Sequence, residues 1–190
     1  KTNKLEDRVT VIHSTAEAAQ LPDNLKADVL ISEWMGFYLV HEGMLGSVLD
    51  ARDRLLKPGG LMMPAKARMH ASLISLDDES PETFANYYGL DFSTMIDLER
   101  AQNNLLAEPD IEKCIEQDQL LCEPVCINEL DLTTLSKEAL KAFVCEANFV
   151  VGKPGQCAAL ALWFDTDFIA AGAEGIVRLD TSPMAEPTHW

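Results

Sequence analysis

The sequence predicts an α/β unit followed by a mostly antiparallel β domain, and three observations carry that prediction. Up to about residue 63, β-branched apolar runs alternate with a helical pattern. Beyond Pro64 the runs lengthen and alternate loosely in a strand-like manner. Between the first and later of these runs lies an acidic, partly helical insertion from about residue 80 to 122.

The first strand is read at Val9-Thr10-Val11-Ile12-His13 and the second at Ala27-Asp28-Val29-Leu30-Ile31, a short run of the kind a parallel sheet buries on both faces. A helix is expected over residues 42–56, where Met44, Leu45, Val48, Leu49, Leu55 and Leu56, with Ala51, recur at helical spacing. Lys57-Pro58-Gly59-Gly60 stops it, because proline cannot continue the ladder and glycine supplies the turn. Leu61-Met62-Met63 is then a brief strand closed by Pro64, and further strands are expected at 65–76, 131–134, 140–147, 158–168 and 175–178. The insertion is rich in apolar residues, among them Phe84, Tyr87, Tyr88, Leu90, Phe92 and Met95, and needs a cover. Folding back on its own domain and docking on a second copy both satisfy that need.

Composition narrows the function classes. With 31 Asp and Glu against 15 Lys and Arg, the net charge is -16, which argues against binding nucleic acid through its phosphates. Such a surface steers basic peptides toward it, or serves solubility alone. The five cysteines form no C-x-x-C pair, so neither a disulfide framework nor a zinc site is indicated, no metal is expected, and a reducing intracellular setting, cytoplasmic or nuclear, fits. No apolar run approaches a membrane span and no signal-peptide pattern opens the chain. The opening residues run straight into a strand, as in a fragment of a longer protein.

The chemistry is concentrated where the second strand ends. Glu33 and Glu42 stand nine positions apart in Ser32-Glu33-Trp34-Met35-Gly36-Phe37-Tyr38-Leu39-Val40-His41-Glu42. Ligands in open α/β sheets bind beyond the carboxyl ends of strands, and a carboxylate pair kept together there is best explained by a cation. A guanidinium suits it, since its planar fork satisfies one carboxylate bidentately and offers further donors to a second. Two solvated surface glutamates are the alternative.

These residues resemble the protein arginine N-methyltransferases, which use S-adenosylmethionine. Ser32-Glu33-Trp34-Met35-Gly36 through Glu42-Gly43-Met44-Leu45 is similar to that family's double-glutamate loop, and Thr188-His189-Trp190 to its Thr-His-Trp loop. The stretch from Ala51 to Pro64 and Tyr88-Gly89-Leu90-Asp91-Phe92 follow the family as well. The resemblance implies the C-terminal part of a seven-strand, Rossmann-like methyltransferase domain over residues 1–64. It implies a truncated β-barrel substrate domain over 65–190, with a helical dimerisation arm at about 84–118 that makes a homodimer. Pro64, often cis in the family, marks the junction.

The resemblance also assigns roles. Glu33 and Glu42 hold the substrate arginine, and His189 either orders its loop or relays the proton. Ala16 and Glu17, in Ser14-Thr15-Ala16-Glu17, belong to the adenine-contacting stretch, with Met44 beside the cofactor. Met35 and Trp190 border the substrate, although packing roles are open to both. The implied reaction is methyl transfer from S-adenosylmethionine to arginine in proteins such as histones and RNA-binding proteins, asymmetric in type. The glycine-rich cofactor loop of the family has no counterpart in these residues, so the chain alone is expected to be inactive. A catalytically silent dimeric scaffold and a small-molecule methyltransferase are the rival readings.

Overall fold

The computed structural model describes residues 2–75, 85–96, 98, 114–169 and 175–190. It divides into two compact units, one comprising Lys1–His70, Cys126–Ala147 and Leu162–Trp190, the other Ala71–Val125 and Asn148–Ala161.

In the first unit, strands β1 (Ala27–Ile31) and β2 (Leu56–Met63) form a parallel pair, with helix α1 (Leu45–Leu55) in the crossover between them. Parallel neighbours cannot be joined by a tight hairpin, and the helix supplies the return path. Val29, Leu30 and Ile31 pair with Leu61, Met62 and Met63, whereas Ala27 pairs with Leu56. Lys57-Pro58-Gly59-Gly60 therefore bulges opposite Asp28. Gly59 adopts φ +75°, a conformation that glycine takes without a steric penalty. The Met63–Pro64 peptide bond is cis.

Helix α1 begins three residues later than its apolar pattern predicts, because Gly43 at φ +68° breaks the helical path. It buries Leu45, Val48, Leu49 and Ala51. Of these, Leu45, Val48 and Leu49 join Trp34, Met35 and Leu39 of the loop after β1 in one core with Met62, Ala67, Met69, Leu130, Leu132 and Phe164. On another side of α1, Arg52 donates to the carbonyls of Leu132 and Leu135, 2.8 Å each, and fastens the segment that carries them.

The strand expected at 9–13 is not formed. No described strand lies alongside it, and without ladder partners its residues stay exposed despite their β-branched composition.

Strands β3 (Lys66–Ile74), β4 (Val125–Asp131), β5 (Ala159–Ile169) and β6 (Ile176–Asp180) form a sheet in the order β4-β3-β5-β6, which is open among the described residues. The strand expected at 131–134 lies earlier, at β4. Asp131 ends it by accepting hydrogen bonds from the Thr133 N–H and hydroxyl, a local turn that competes with the ladder. Residues 140–147 are not a strand either: Glu138–Leu140 makes a 3-10 turn, closed by Lys141 N–H to Glu138 O at 3.2 Å.

Alternation along β3 buries Ala67 and Met69 and turns Lys66, Arg68 and His70 to the other face. There the neighbouring strands complete a ladder of charges. Arg68 spreads its fork over Glu129 of β4 (2.9 Å) and Asp165 and Asp167 of β5 (2.5 Å each). Arg178 of β6 reaches Asp167 at 2.8 Å, and His70 Nε2 lies 2.7 Å from Asp165. Burial pushes the Asp167 carboxyl up, but hydrogen bonds from Arg68 and Arg178 outweigh it and bring it down to about 2.

In the second unit, Leu121 N–H bonds Leu73 O, Ser75 N–H bonds Gln119 O, and Gly152 N–H bonds Leu121 O. Cys122 is buried there beside Ser72, whose hydroxyl donates to its carbonyl at 2.9 Å. At the root of the insertion, Tyr88 (φ +52°) and Gly89 (φ +78°) make a two-residue turn closed by paired bonds between Tyr87 and Leu90. Tyr87 meets Tyr88 and Phe92 edge-on, and all three rings remain exposed. Most of the arm expected at 84–118 lies outside the described residues.

Because the folded Asp167 value lies below the ordinary 3.8, its stabilisation is full above about pH 4 and is lost as pH falls from there through about 2. Asp167→Ala, which removes an acceptor that two arginines share, is expected to cost ~3 kcal/mol in urea unfolding at pH 7 and to flatten that acid dependence. A loss under ~0.5 kcal/mol with unchanged acid sensitivity contradicts the ladder's role.

Candidate active site

Ser32 N–H extends the β1 pairing by one bond to Met63 O at 3.0 Å, and Glu33 follows as the chain leaves the sheet. Glu33 Oε1 accepts the Met35 N–H at 3.2 Å, which leaves its second oxygen open. Trp34, Met35 and Leu39 are buried and pin the loop to the core. Gly36 and Leu39 exchange two backbone bonds, 3.0 and 2.9 Å, around Phe37 and Tyr38. Tyr38 (φ +41°) and Leu39 (φ +78°) lie in the left-handed region, a strained choice for such side chains. The burial of Leu39 offsets that cost.

The two glutamate-bearing arms meet at Gly36. A β-carbon there would stand 2.9 Å from Glu42 Cγ and 2.9 Å from the Glu42 backbone nitrogen. Only glycine admits that approach, and both carboxylates remain exposed. Within the same loop, Tyr38 Oη and His41 Nδ1 are 2.7 Å apart.

Trp190 fastens the same loop from the far end of the chain. Its indole N–H donates to Met35 O at 2.9 Å, and its ring stands edge-on to Phe164 at 5.7 Å. His189 lies against Trp190, ring centroids 3.9 Å apart, and is exposed. The Thr-His-Trp segment is thus docked on the double-glutamate loop.

On another side of Trp34 lies a cavity of ≈ 510 Å³ with apolar walls from Leu39, Val40, Leu45, Leu140 and Phe143. Glu17, Met44, Ser47 and Lys137 also line it. The Ser47 hydroxyl donates to Glu17, and this bond, with others from the Glu17 and Thr15 region, holds the Glu17 carboxyl below its ordinary range.

The structure therefore brings Glu33 and Glu42 onto one loop, sets Trp190 on that loop, and places Glu17 and Met44 at one cavity. Ala16 does not line the cavity; its carbonyl accepts a bond from Arg54. The Met35 side chain lies in the core, and it is its carbonyl that meets Trp190. Sequence reasoning missed Ser47, Asp50 and Arg54, whose i, i+3, i+7 spacing puts them on one face of α1. It missed Lys137 too, for which spacing gives no signal.

A family model described as Arginine methyltransferase oligomerization subdomain matches residues 65–190. The chain belongs to the protein arginine N-methyltransferase family. Protein arginine N-methyltransferase 6 of Danio rerio is 37% identical over 198 residues, covering 100% of this chain and 54% of its own length. A probable protein arginine N-methyltransferase 6 of Arabidopsis thaliana is 33% identical over 225 residues, covering 100% of this chain and 51% of its own. The chain thus spans about half the length of the curated arginine methyltransferases it matches. Among solved structures, protein arginine methyltransferase 10 of Arabidopsis thaliana superposes with a TM-score of 0.79 at 29% identity, over 100% of this chain and 60% of that one. The Trypanosoma brucei PRMT1 enzyme-prozyme heterotetrameric complex with AdoHcy gives a TM-score of 0.73 at 33% identity, over 100% and 57%.

Two substitutions test the loop's construction. Gly36→Ala pushes on a backbone nitrogen that cannot yield, and is expected to cost ~1–3 kcal/mol in chemical denaturation. Trp190→Phe keeps the ring but leaves Met35 O unpaired, at a cost of ~1–2 kcal/mol. Wild-type stability in both variants contradicts the packing described.

Proposed function

We propose that the intact protein is an S-adenosylmethionine-dependent protein arginine N-methyltransferase, with Glu33 and Glu42 as the clamp for the substrate guanidinium. The observation that carries this reading is the contact of Gly36 with Glu42, which folds both carboxylate arms onto one loop at a strand end. Each glutamate offers acceptors only, and a guanidinium offers donors only, so the pair and the cation are complementary.

The cavity suits the donor's purine. Glu17, held ionised, offers an acceptor for an exocyclic amine, while Leu39, Val40 and Phe143 give apolar walls for a ring. Glu17 and Met44 are proposed to hold that group. When bound, S-adenosylmethionine supplies a sulfonium methyl open to nucleophilic attack. The chain's part is to aim the guanidinium: the carboxylates draw positive charge toward the nitrogens they hold and leave the remaining nitrogen free to react. Positioning of this kind removes several kcal/mol of barrier, and fixed charges add to it. A glutamate of the clamp, or His189 as relay, takes the proton released by the methylated nitrogen. Met35 and Trp190 set the loop that borders the substrate.

Residues 1–64 are proposed as part of a Rossmann-like methyltransferase domain and 65–190 as part of a β-barrel substrate domain. The match to an oligomerization subdomain and the exposed rings of Tyr87, Tyr88 and Phe92 support a homodimer formed through the arm at about 84–118. Arginine-rich segments of histones and RNA-binding proteins are the proposed substrates, and an intracellular location, cytoplasmic or nuclear, accords with five free cysteines.

In the full-length protein, Glu33→Gln and Glu42→Gln are each expected to lower radiolabel transfer to a glycine- and arginine-rich peptide by at least about a hundredfold. Affinity for S-adenosylhomocysteine should change little. Near-normal transfer in both variants overturns the clamp, and cofactor binding without transfer in the wild type marks a silent scaffold.

A further inference from the structure

Segment 9–20 carries Glu17 but has little of its own to hold it in place. It forms no strand, is almost wholly exposed, and its internal backbone bonds are local, such as Ala19 N–H to Thr15 O at 3.0 Å. What reaches it from the body of the first unit is the polar face of α1. Ser47 binds the Glu17 carboxylate itself. Arg54 binds the backbone on both sides of Glu17: its Nη2 donates to Ala16 O at 2.5 Å and its Nη1 to Ala19 O at 3.0 Å.

The third arm of that guanidinium is also fixed. Arg54 Nε donates to Asp50 Oδ2 at 2.5 Å, one helical turn back. The other Asp50 oxygen accepts Lys137 Nζ at 2.5 Å, and Lys137 lines the cavity that Glu17 lines. Asp50 is thereby held from two directions and presents Arg54 in one orientation. Such geometry needs a planar fork with several donors, which lysine does not have. Ser47 alone leaves the backbone of residues 16–19 unfixed.

We infer that Arg54, aligned by Asp50, is a positioning residue that sets Glu17 at the cavity mouth and so makes the cavity select a base carrying an exocyclic amine. This rests on the reading of Glu17 as the amine acceptor. An acceptor discriminates between amine and carbonyl only if its place is fixed; a wandering carboxylate meets solvent as readily as ligand.

The test uses the full-length protein, isothermal titration, and two probes that differ at that amine, S-adenosylhomocysteine and S-inosylhomocysteine. The wild type is expected to prefer the adenosyl probe by about tenfold or more. Arg54→Ala should abolish most of that preference, as Glu17→Ala does, and the double variant should lose no more than Glu17→Ala alone. Arg54→Lys, able to reach one carbonyl, should fall between. A preference kept in Arg54→Ala but lost in Glu17→Ala overturns the inference while the assignment of Glu17 stands. A preference kept in Glu17→Ala overturns the assignment and the inference with it. Additive losses in the double variant show that Arg54 acts elsewhere, and also overturn it. Should Arg54→Ala fail to fold, Asp50→Asn must lower the preference without a change in near-UV circular dichroism; an unchanged preference refutes the role.

Discussion

The burial of one face of α1 is the constraint on which the site depends. With Leu45, Val48, Leu49 and Ala51 committed to the core, the helix can neither rotate nor slide without exposing them, at a cost of about 2 kcal/mol or more for each large side chain. Its remaining faces then become fixed reference points. Ser47, Asp50 and Arg54 hold the segment bearing Glu17, and Arg52 holds the carbonyls that follow β4. The chain entering the helix carries Glu42, so hydrophobic packing locates a carboxylate that is itself exposed.

A division of labour follows within the loop before α1. Trp34, Met35 and Leu39 supply burial, Gly36 supplies room, and Glu33 and Glu42 supply charge. Positive φ at Tyr38 and Leu39 is the conformational cost of turning the loop so sharply. The Trp190 bond to Met35 O adds a brace from 155 residues away. Among the described residues, neither carboxylate of this loop pairs with a cation. The charge ladder on β3, β5 and β6 shows the contrast: there each carboxylate has its arginine within the fold, and the result is stability.

Much of this was legible in the sequence, and the exceptions have physical causes. Strands β1, β3, β5 and β6 follow apolar runs whose neighbours are present to pair with them. Residues 9–13 carry the same composition, but strand formation is a property of a ladder, and propensity alone does not supply one. Residues 131–134 were misplaced because the Asp131 side chain captures the Thr133 N–H, a local bond that apolar counting does not see. Glu33 and Glu42 were visible because they interrupt an apolar pattern at a strand end. Arg54 and Lys137 were not, since the carbonyls of Ala16 and Ala19 that Arg54 binds, and the Asp50 that Lys137 binds, lie 35 or more residues away and become neighbours only once α1 is packed. The alternation of Lys66, Arg68 and His70 hinted at a polar sheet face, while its match to Asp165 and Asp167 required the strand register.

The central claim is that the two glutamates form a receptor for a planar cation. It is tested most directly by calorimetric titration of the full-length protein, saturated with S-adenosylhomocysteine, with one peptide carrying arginine and its counterpart carrying citrulline. Citrulline keeps the shape and loses the charge and part of the donor fork. The arginine peptide is expected to bind at least about tenfold more tightly, with the advantage shrinking as salt rises. Equal affinities for the two peptides contradict the claim.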